Sequence, residues 1–402
     1  MPNLKLHYIA NVRLPTEKAH GLQIVQNCEA FAQNGAQVKL WVAARTNTAE
    51  MQAIPDLYAH YGVTPNFALQ RLPTLDLLPL VPGRDDRLAQ AIFALQLVTF
   101  TLSALIMSLF TAADVIYSRD PLVLWVLSWV TPKRKLVYEA HQLAAGKLGS
   151  ALQRRVVQQC GTVIATTARL RDDLLALADG VQPQRFMVAH DGVRAARFAE
   201  LPSQADARHA LGWPQDAFIV GYVGRLHTMG QDKGVATLLE ALQHTVGASL
   251  AIVGGPTDMA EALRDQWLAA NLPATEFLYA GQVAPERVPL CMRAFDVCVM
   301  PLPFTPHFAY HASPLKLFEY MASGQAVVVS DLPAWADVVR DGENALLFPA
   351  GDVTALAQVL ARLRADPALR ARLGATARAE ALTLHTWAAR ATRILAHIRQ
   401  AA

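Results

Sequence analysis

The chain contains few cysteines and no recognisable export segment. Four cysteines occur among its 402 residues, and none stands in a C-x-x-C pair or near histidines at metal-ligand spacing. A disulfide scaffold is thereby excluded, and we expect a reducing, cytoplasmic compartment. The apolar stretch within the first ten residues is short and interrupted, so we expect no signal peptide.

Signatures of several enzyme classes are also missing. The chain has no G-x-G-x-x-G, no G-x-x-x-x-G-K-[ST] and no G-x-S-x-G motif, which sets aside dehydrogenases, P-loop nucleotidases and α/β-hydrolases. No D-x-D occurs either, so the usual carboxylate clamp for a metal-bound diphosphate is absent. We therefore expect no metal ion and no cofactor, and cationic side chains would have to take the place of that clamp.

Composition favours a folded chain of two domains. Hydrophobic residues make up 53% of the chain and charged residues 17%, which excludes disorder, collagen and coiled coil. The net charge of +3 is uneven: residues 1–198 carry 20 Lys and Arg against 14 Asp and Glu, whereas residues 199–402 carry 16 against 19. The basic first half would suit phosphates or an anionic membrane surface, or it reflects ordinary scatter between domains. We expect no nucleic-acid partner.

Short apolar runs alternate with amphipathic stretches along the chain. This alternation is typical of βαβ units around a parallel sheet. A break at residues 194–215 divides it, and we predict two tandem Rossmann-like domains at 1–198 and 199–380. A helix is predicted over Gly21–Gln33. The predicted strands are Leu4–Ile9, Val38–Val42, Asp114–Tyr117, Lys135–Tyr138, Thr162–Ala165, Arg185–Ala189, Phe218–Val223, Ser249–Val253, Glu276–Tyr279, Val297–Met300, Ala326–Val329 and Ala345–Phe348.

One apolar segment leaves three interpretations open. Residues 88–113 carry no charge, and fifteen of the twenty positions in Ala91–Phe110 are apolar, which is long enough to cross a bilayer. Crossing would place strands of one sheet on opposite sides of the membrane. Gln96, Thr99 and Ser103 share one helical face, as in a buried helix with one polar edge. The third interpretation is a helix that contacts a membrane surface without crossing it.

Two basic residues follow a predicted strand in the second half. Arg225 comes directly after the strand that ends in Tyr222-Val223-Gly224, and Lys233 stands before a predicted helix. Ligands bind beyond the carboxyl ends of parallel strands, so these cations would suit a diphosphate. The alternative is a strand-end arginine with an exposed lysine.

A short, well-delimited helix is predicted over residues 313–324. Ser313 suits the N-cap position, Pro314 the first helical position, and Gly324 the residue past the end. The backbone N–H groups of Leu315 and Lys316 would then face an anion. Glu319 lies among apolar residues and needs donors, which a ribose, a backbone cap or an arginine would supply; we favour the ribose.

These motifs resemble those of the retaining glycosyltransferases of family 4, which have the GT-B fold. The resemblance is strong over residues 218–355 and weaker at Tyr117–Pro121, Tyr138–His141 and His190–Val193. It implies two Rossmann-like domains whose parallel sheets face a central cleft, with a C-terminal helix over 381–402 that crosses back to the first domain. The runs that carry it are Tyr222–Leu226, Lys233–Gly234, His311–Gly324, Ser330–Pro333, Asp341–Asn344 and Pro349–Asp352.

By this resemblance, Arg225 and Lys233 hold the donor diphosphate and stabilise its charge as it leaves. Glu319 matches the second glutamate of the E-x7-E pattern and binds the ribose, while His311 stands where the first glutamate is expected. This replacement is a departure from the family. The remaining implied donor-binding residues are Gly21, Gly224, Gln282, Val283, Ser313, Pro314, Leu315 and Lys316, and the implied reaction-centre residue is His141.

The resemblance implies metal-independent transfer of a sugar from a nucleotide diphosphate to an acceptor hydroxyl, with retention of configuration. The donor would bind the second domain and the acceptor the first. The basic first half and the apolar segment 88–113 together suggest an acceptor that is lipid-linked or a polysaccharide, and a protein that is cytoplasmic or peripheral at the inner face of a membrane. Two alternatives remain open: a nucleotide-sugar-binding scaffold without transfer activity, favoured only by His311, and a nucleotide-sugar epimerase on the same fold.

Overall fold

The computed structural model describes residues 4–81, 83–84, 86–228 and 230–401. It divides into two compact units: unit 1, Met1–His190 with Trp387–Ala402, and unit 2, Asp191–Thr386. The division falls at 190/191 instead of the predicted 198/199. Only the last helix groups with unit 1, instead of the predicted segment from residue 381 onward. Residues 1–3 and 402, which the predicted domains include, lie outside the described residues.

Unit 1 contains a seven-stranded sheet in the order β3-β2-β1-β4-β5-β6-β7, and every neighbouring pair is parallel. The six strands predicted for this half are present, with ends shifted by up to two residues. The strands are β1 Lys5–Ala10, β2 Gln37–Ala43, β3 Ala68–Leu72, β4 Val115–Ser118, β5 Leu136–Ala140, β6 Thr162–Ala165 and β7 Phe186–Val188. The helices are α1 Ala19–Gln33, α2 Ala49–Gln52, α3 Leu57–Tyr61, α4 Arg87–Phe110, α5 Pro121–Leu127, α6 Gly146–Gln159 and α7 Ala168–Leu177, with α15 Trp387–Ala401 from the end of the chain.

Buried apolar strands explain why most of this sheet is readable from sequence. All side chains of β4, β5 and β6 are buried, as is typical of parallel strands covered on both faces. The edge strand β3 was missed because three of its five residues are exposed and the adjacent polar residues Gln70 and Arg71 interrupt it, so neither an apolar run nor a clean alternation marks it. Helix α1 begins at Ala19, two residues before the predicted start, and ends at Gln33 as predicted.

Unit 2 contains a six-stranded parallel sheet in the order β12-β11-β8-β13-β14-β15. A two-stranded antiparallel ribbon, β9 with β10, follows the central strand. The strands are β8 Phe218–Arg225, β9 His227–Thr228, β10 Gln231–Asp232, β11 Ala248–Gly255, β12 Phe277–Gly281, β13 Val297–Met300, β14 Ala326–Asp331 and β15 Leu346–Pro349. The helices are α8 Gln204–Leu211, α9 Val235–Gln243, α10 Thr257–Ala269, α11 Val288–Ala294, α12 Leu315–Ser323, α13 Val353–Ala365 and α14 Pro367–Leu384.

The centre of this sheet positions the candidate site. Strand β8 lies between β11 and β13, and its carboxyl end carries Gly224 and Arg225. One π-helical turn, His307–His311, follows β13 and leads into helix α12. The order of elements therefore brings the motifs at 222–226, 233–234 and 311–324 to one edge of a single sheet.

Candidate functional site

At the end of strand β8, the backbone of Gly224 lies close to the Lys316 side chain. Gly224 has a φ of +124°, and a Cβ atom there would lie 3.1 Å from the Lys316 ammonium nitrogen. Arg225 is exposed, and its side chain forms no ion pair with any residue that the structure describes. The structure thus places Gly224, Arg225 and Lys316 at the carboxyl edge of the sheet.

Lys233 reaches the same edge from the turn before helix α9. Its backbone N–H donates to the Leu226 carbonyl at 3.1 Å, and its ammonium nitrogen lies 4.1 Å from the centroid of the Phe308 ring. Burial lowers the pKa of Lys233 to about 8, although Asp232 opposes the shift. The next residue, Gly234, has a φ of +74°, and a Cβ there would come within 1.8 Å of the Pro301 carbonyl oxygen. Only glycine fits that position without displacing the loop.

Helix α12 begins differently from the prediction. Pro314 is its N-cap residue, and no side chain caps it, so the prediction that Ser313 is the N-cap is wrong. The Ser313 hydroxyl instead accepts a 2.8 Å hydrogen bond from the Asp191 backbone N–H. Because the Leu317 N–H already donates to the Pro314 carbonyl, the N–H groups of Leu315 and Lys316 are the ones that the helix leaves for an anion.

The Lys316 side chain was missed, since sequence reasoning used only its backbone amide. Its ammonium donates a 2.6 Å hydrogen bond to the Tyr222 hydroxyl and lies 4.0 Å from the centroid of that ring. Burial and the neighbouring charge of Lys233 lower the pKa of Lys316 to about 7, although Glu319 opposes the shift. The sequence did contain a signal for this side chain: Lys316 stands three residues before Glu319, so both side chains lie on the same face of the predicted helix.

Glu319 already has a partner in the chain. Its carboxylate oxygen lies 3.1 Å from the Arg197 guanidinium, and its side chain is 22% exposed. Burial raises the pKa of Glu319, against the opposing charges of Arg197 and Lys316. Of the donors that the sequence left open for this carboxylate, the structure supplies the arginine, Arg197. The ribose role of Glu319 now depends on the family resemblance alone.

The remaining unit 2 predictions lie on neighbouring segments. His311 ends the π-helical turn and is partly exposed. Gln282 and Val283 follow Gly281 at the end of β12, and the Gln282 side-chain nitrogen lies 3.5 Å from the position that a Cβ of Gly255 would take. These residues share the carboxyl edge of the sheet with Arg225.

In unit 1, His141 belongs to a buried polar cluster around Glu139. The His141 Nε2 lies 2.6 Å from one Glu139 oxygen, and Arg119 and Arg390 lie 2.8 Å and 3.1 Å from this carboxylate. The Tyr117 hydroxyl also donates to it. Burial raises the pKa of Glu139, but the two guanidinium groups outweigh this and hold the pKa well below its ordinary value. Sequence reasoning missed Glu139 and Arg390, although a glutamate inside a buried strand was a signal.

Gly21 does not offer its own N–H to a ligand. That group donates to the Lys18 carbonyl at 3.0 Å. A Cβ at Gly21 would lie 2.3 Å from the Thr16 methyl group and 2.8 Å from the Tyr61 hydroxyl. Packing of helix α1 therefore accounts for this glycine. No group of three or more His, Cys, Asp or Glu side chains suited to a metal ion occurs within the described ranges.

The fold defines the class of protein, because two parallel α/β units of this kind constitute the GT-B fold. Sucrose-phosphate synthase from Thermosynechococcus elongatus superposes with a TM-score of 0.76 at 21% identity, with 99% of each chain covered. Anabaena HepE, solved in complex with UDP, superposes with a TM-score of 0.70 at 18% identity over 99% of this chain and 100% of its own. The predicted fold class is confirmed.

The sequence assigns the family. The family model of the glycosyl transferases group 1 matches residues 217–366. A D-inositol 3-phosphate glycosyltransferase from Thermomonospora curvata is 30% identical over 303 residues, which cover 67% of each chain. The chain belongs to the glycosyl transferases group 1. It spans only 50–59% of the length of three other relatives with the same name, from Streptomyces and Acidothermus.

Proposed function

We propose that this protein transfers a sugar from a nucleotide diphosphate sugar to an acceptor hydroxyl, with retention of configuration and without a metal ion. The observation that carries the proposal is the convergence of Arg225, Lys233 and Lys316 with the start of helix α12 at one sheet edge in unit 2. Membership of the glycosyl transferases group 1 supports sugar transfer as the reaction class.

These groups would act on the leaving diphosphate. Negative charge grows on the phosphate oxygens as the bond to the sugar breaks, and fixed cations close to those oxygens stabilise the transition state more than the ground state. The amides of Leu315 and Lys316, at the positive end of a helix, would add two donors. The chain would then need no divalent cation to neutralise the leaving group.

The proposed course of the reaction follows the family resemblance. The acceptor hydroxyl attacks the sugar on the face from which the diphosphate leaves, and a phosphate oxygen takes its proton. His141, oriented by Glu139, is the proposed reaction-centre residue; a carboxylate partner fixes the tautomer of an imidazole. We propose an acceptor that is lipid-linked or a polysaccharide, and relatives named phosphatidyl-myo-inositol mannosyltransferases favour the lipid-linked class.

A donor panel tests the reaction. UDP-, GDP- and ADP-sugars are incubated with the protein in EDTA, and we expect slow hydrolysis of at least one donor without an acceptor. Structures of HepE with UDP and with UDP-glucose make the UDP-sugars the first to be tried. Tight binding without turnover of any donor would favour the scaffold, and release of a rearranged sugar would favour the epimerase. Activity that EDTA abolishes would contradict metal independence.

Two substitutions test the site. Arg225→Ala and Lys233→Ala should each lower kcat by about 100-fold, the size expected when one group that stabilises developing charge is removed. Arg264→Ala, which removes an exposed arginine of helix α10 in the same unit, is the matched control and should leave kcat unchanged. Unchanged turnover in both site variants would contradict the proposed diphosphate site.

A further inference from the structure

Helix α4 buries polar side chains and exposes apolar ones. Gln96 and Thr101 are 0% and 2% exposed, whereas Leu102 and Ile106 are 49% and 55% exposed. The interpretation of α4 as a core helix with one polar edge is therefore wrong, because large apolar side chains are exposed and Gln96 of the polar edge is buried. We call the exposed apolar residues on one side of this helix the α4 stripe: Leu88, Leu95, Val98, Leu102, Ile106, Leu109 and Phe110.

Specific hydrogen bonds fix this orientation. The side-chain amides of Gln96 and Asn11 exchange hydrogen bonds of 2.9 Å and 3.0 Å. The Thr99 hydroxyl accepts from the Leu75 backbone N–H at 3.1 Å, and the Ser103 hydroxyl donates to the Pro73 carbonyl at 2.5 Å. Rotating the helix to hide the α4 stripe would break these bonds and leave Gln96 without its partner. The apolar face is thus held outward.

The surrounding sheet excludes a crossing helix. Helix α4 is long and apolar enough to span a membrane, but only 22% of its most apolar window is buried, which is unlike a core helix. Strands β3 and β4 precede and follow it in the chain, and both belong to the same sheet of unit 1. A spanning helix would have to separate them. The α4 stripe therefore needs an apolar partner that lies alongside the helix.

The charges beyond the carboxyl end of the helix identify that partner. At the amino end, Arg84 and Arg87 stand beside Asp85 and Asp86 in the sequence, so the charges of this segment cancel. Near the carboxyl end the Lys135 ammonium donates to the Ala113 carbonyl at 2.8 Å, and it belongs to the basic turn Lys133–Lys135, in which Lys133 and Arg134 are exposed. These three cations outnumber the nearby Asp114, and anionic lipid headgroups complement them.

We propose that the α4 stripe lies in the interfacial layer of an anionic lipid bilayer, with the helix axis in the membrane plane. A helix of this length presents about 36 Å of continuous apolar surface. Helices that lie in the interface bury such a face at the boundary between headgroups and acyl chains. Trp129, 63% exposed just after helix α5, which packs against α4, is a residue type enriched at that depth. The inference goes beyond the proposed sugar transfer and does not depend on it.

Vesicle flotation tests the proposal with the full-length chain. Vesicles of phosphatidylcholine alone, and of phosphatidylcholine mixed equally with phosphatidylglycerol, are floated with the wild type and two triple variants. We expect the wild type to float with both, and more completely with phosphatidylglycerol. Leu95→Glu/Leu102→Glu/Ile106→Glu should lower the partition coefficient by about 100-fold or more, because three large apolar side chains are lost from the contact.

The matched control replaces three exposed apolar residues elsewhere. Leu148→Glu/Val246→Glu/Leu384→Glu should float like the wild type, since these side chains are 88%, 83% and 55% exposed outside the stripe. Melting temperatures equal to that of the wild type will show that both variants are folded.

Four results would overturn the proposal. The first is a wild type that stays in the supernatant with both vesicles, and the second is a stripe variant that floats as well as the control. The third is a wild-type dimer in lipid-free buffer that the stripe variant converts to a monomer without any flotation of the wild type; it would assign the stripe to a second copy. The fourth is resistance of membrane-bound protein to carbonate extraction, which would indicate a spanning helix.

Discussion

At the residue scale, unit 2 concentrates cations that the fold leaves without carboxylate partners. Arg225, Lys233 and Lys316 form no ion pair with any described Asp or Glu, although Glu319 lies three residues from Lys316. Burial and the charge of Lys233 lower the pKa of Lys316, and Glu319 offsets only part of this shift. A bound diphosphate would supply negative charge beside these cations, so burial and repulsion between the two lysines favour the binding of such a ligand.

Lys316 therefore predicts a pH dependence. With a pKa of about 7, its ammonium is protonated below pH 7 and loses its proton as the pH rises. Affinity for the donor should accordingly fall above pH 7, by up to about tenfold per pH unit. Calorimetric titration between pH 6 and 9 checks this, with a nucleotide diphosphate sugar whose phosphates do not titrate in that range.

Two substitutions separate the contribution of Lys316 from that of Lys233, whose pKa is about 8. Lys316→Met, neutral and similar in length, should bind more weakly at pH 6 and lose the part of the dependence that begins near pH 7. Lys316→Arg should stay charged and keep its affinity up to pH 8. An identical profile in all three proteins would show that this ammonium does not touch the donor.

At the element scale, two helix starts decide the geometry of the site. Helix α12 begins at Leu315 without a side-chain cap, and helix α9 begins after Gly234, whose positive φ and contact with the Pro301 carbonyl fix the turn. Both starts lie at the edge of the sheet where the strand carboxyl ends lie, because the chain reaches α9 through the β9–β10 ribbon after β8 and reaches α12 through the π-helical turn after β13.

Gly234→Ala tests how strictly that turn is needed. The new Cβ would meet the Pro301 carbonyl at 1.8 Å, so we expect the turn to shift, Lys233 to move and donor affinity to drop by at least about tenfold. Gly351→Ala is the control, since its φ of +81° is similar but nothing lies within 4 Å; it should cost only about 1 kcal/mol of stability and leave donor binding intact. Equal donor affinity in both variants would contradict the role given to this turn.

At the scale of the whole molecule, the end of the chain completes unit 1. Helix α15 packs against α1, and it supplies Arg390 to the Glu139 cluster and buries Ile394, Leu395 and Ile398. Helix α15, near the carboxyl end of the chain, is therefore part of the same core as helix α1, near the amino end.

Truncation after Thr386 should unfold unit 1 and leave unit 2 intact. Removing Arg390 leaves part of the Glu139 charge uncompensated, and loss of three buried aliphatic side chains removes several kcal/mol of apolar burial, at about 1.5–3 kcal/mol each. Hydrogen exchange should show rapid exchange in β4–β6 and protection in β8 and β11. Truncation after Arg399, which retains all four residues, should resemble the full chain. Protected β4–β6 strands in the shorter protein would refute this dependence.

The sequence by itself determined the positions of most parallel strands along the chain, the family, and the edge at which the cations meet. Buried β-branched runs and glycine- or proline-marked helix ends are local features, and strand carboxyl ends converge by topology alone. Edge strand β3 was not predictable, because its exposed polar residues carry no periodic signal.

Only the tertiary structure decided which polar groups satisfy one another. Arg197 contacts Glu319 across 122 positions, and Arg390 contacts Glu139 across 251 positions. The same holds for helix α4, whose composition fits a core, a membrane span or a surface, and whose orientation is set by Asn11 and Pro73 from other segments. Hydrogen bonds between residues distant in sequence leave no local pattern, and they fixed both the partner of Glu319 and the face that α4 turns outward.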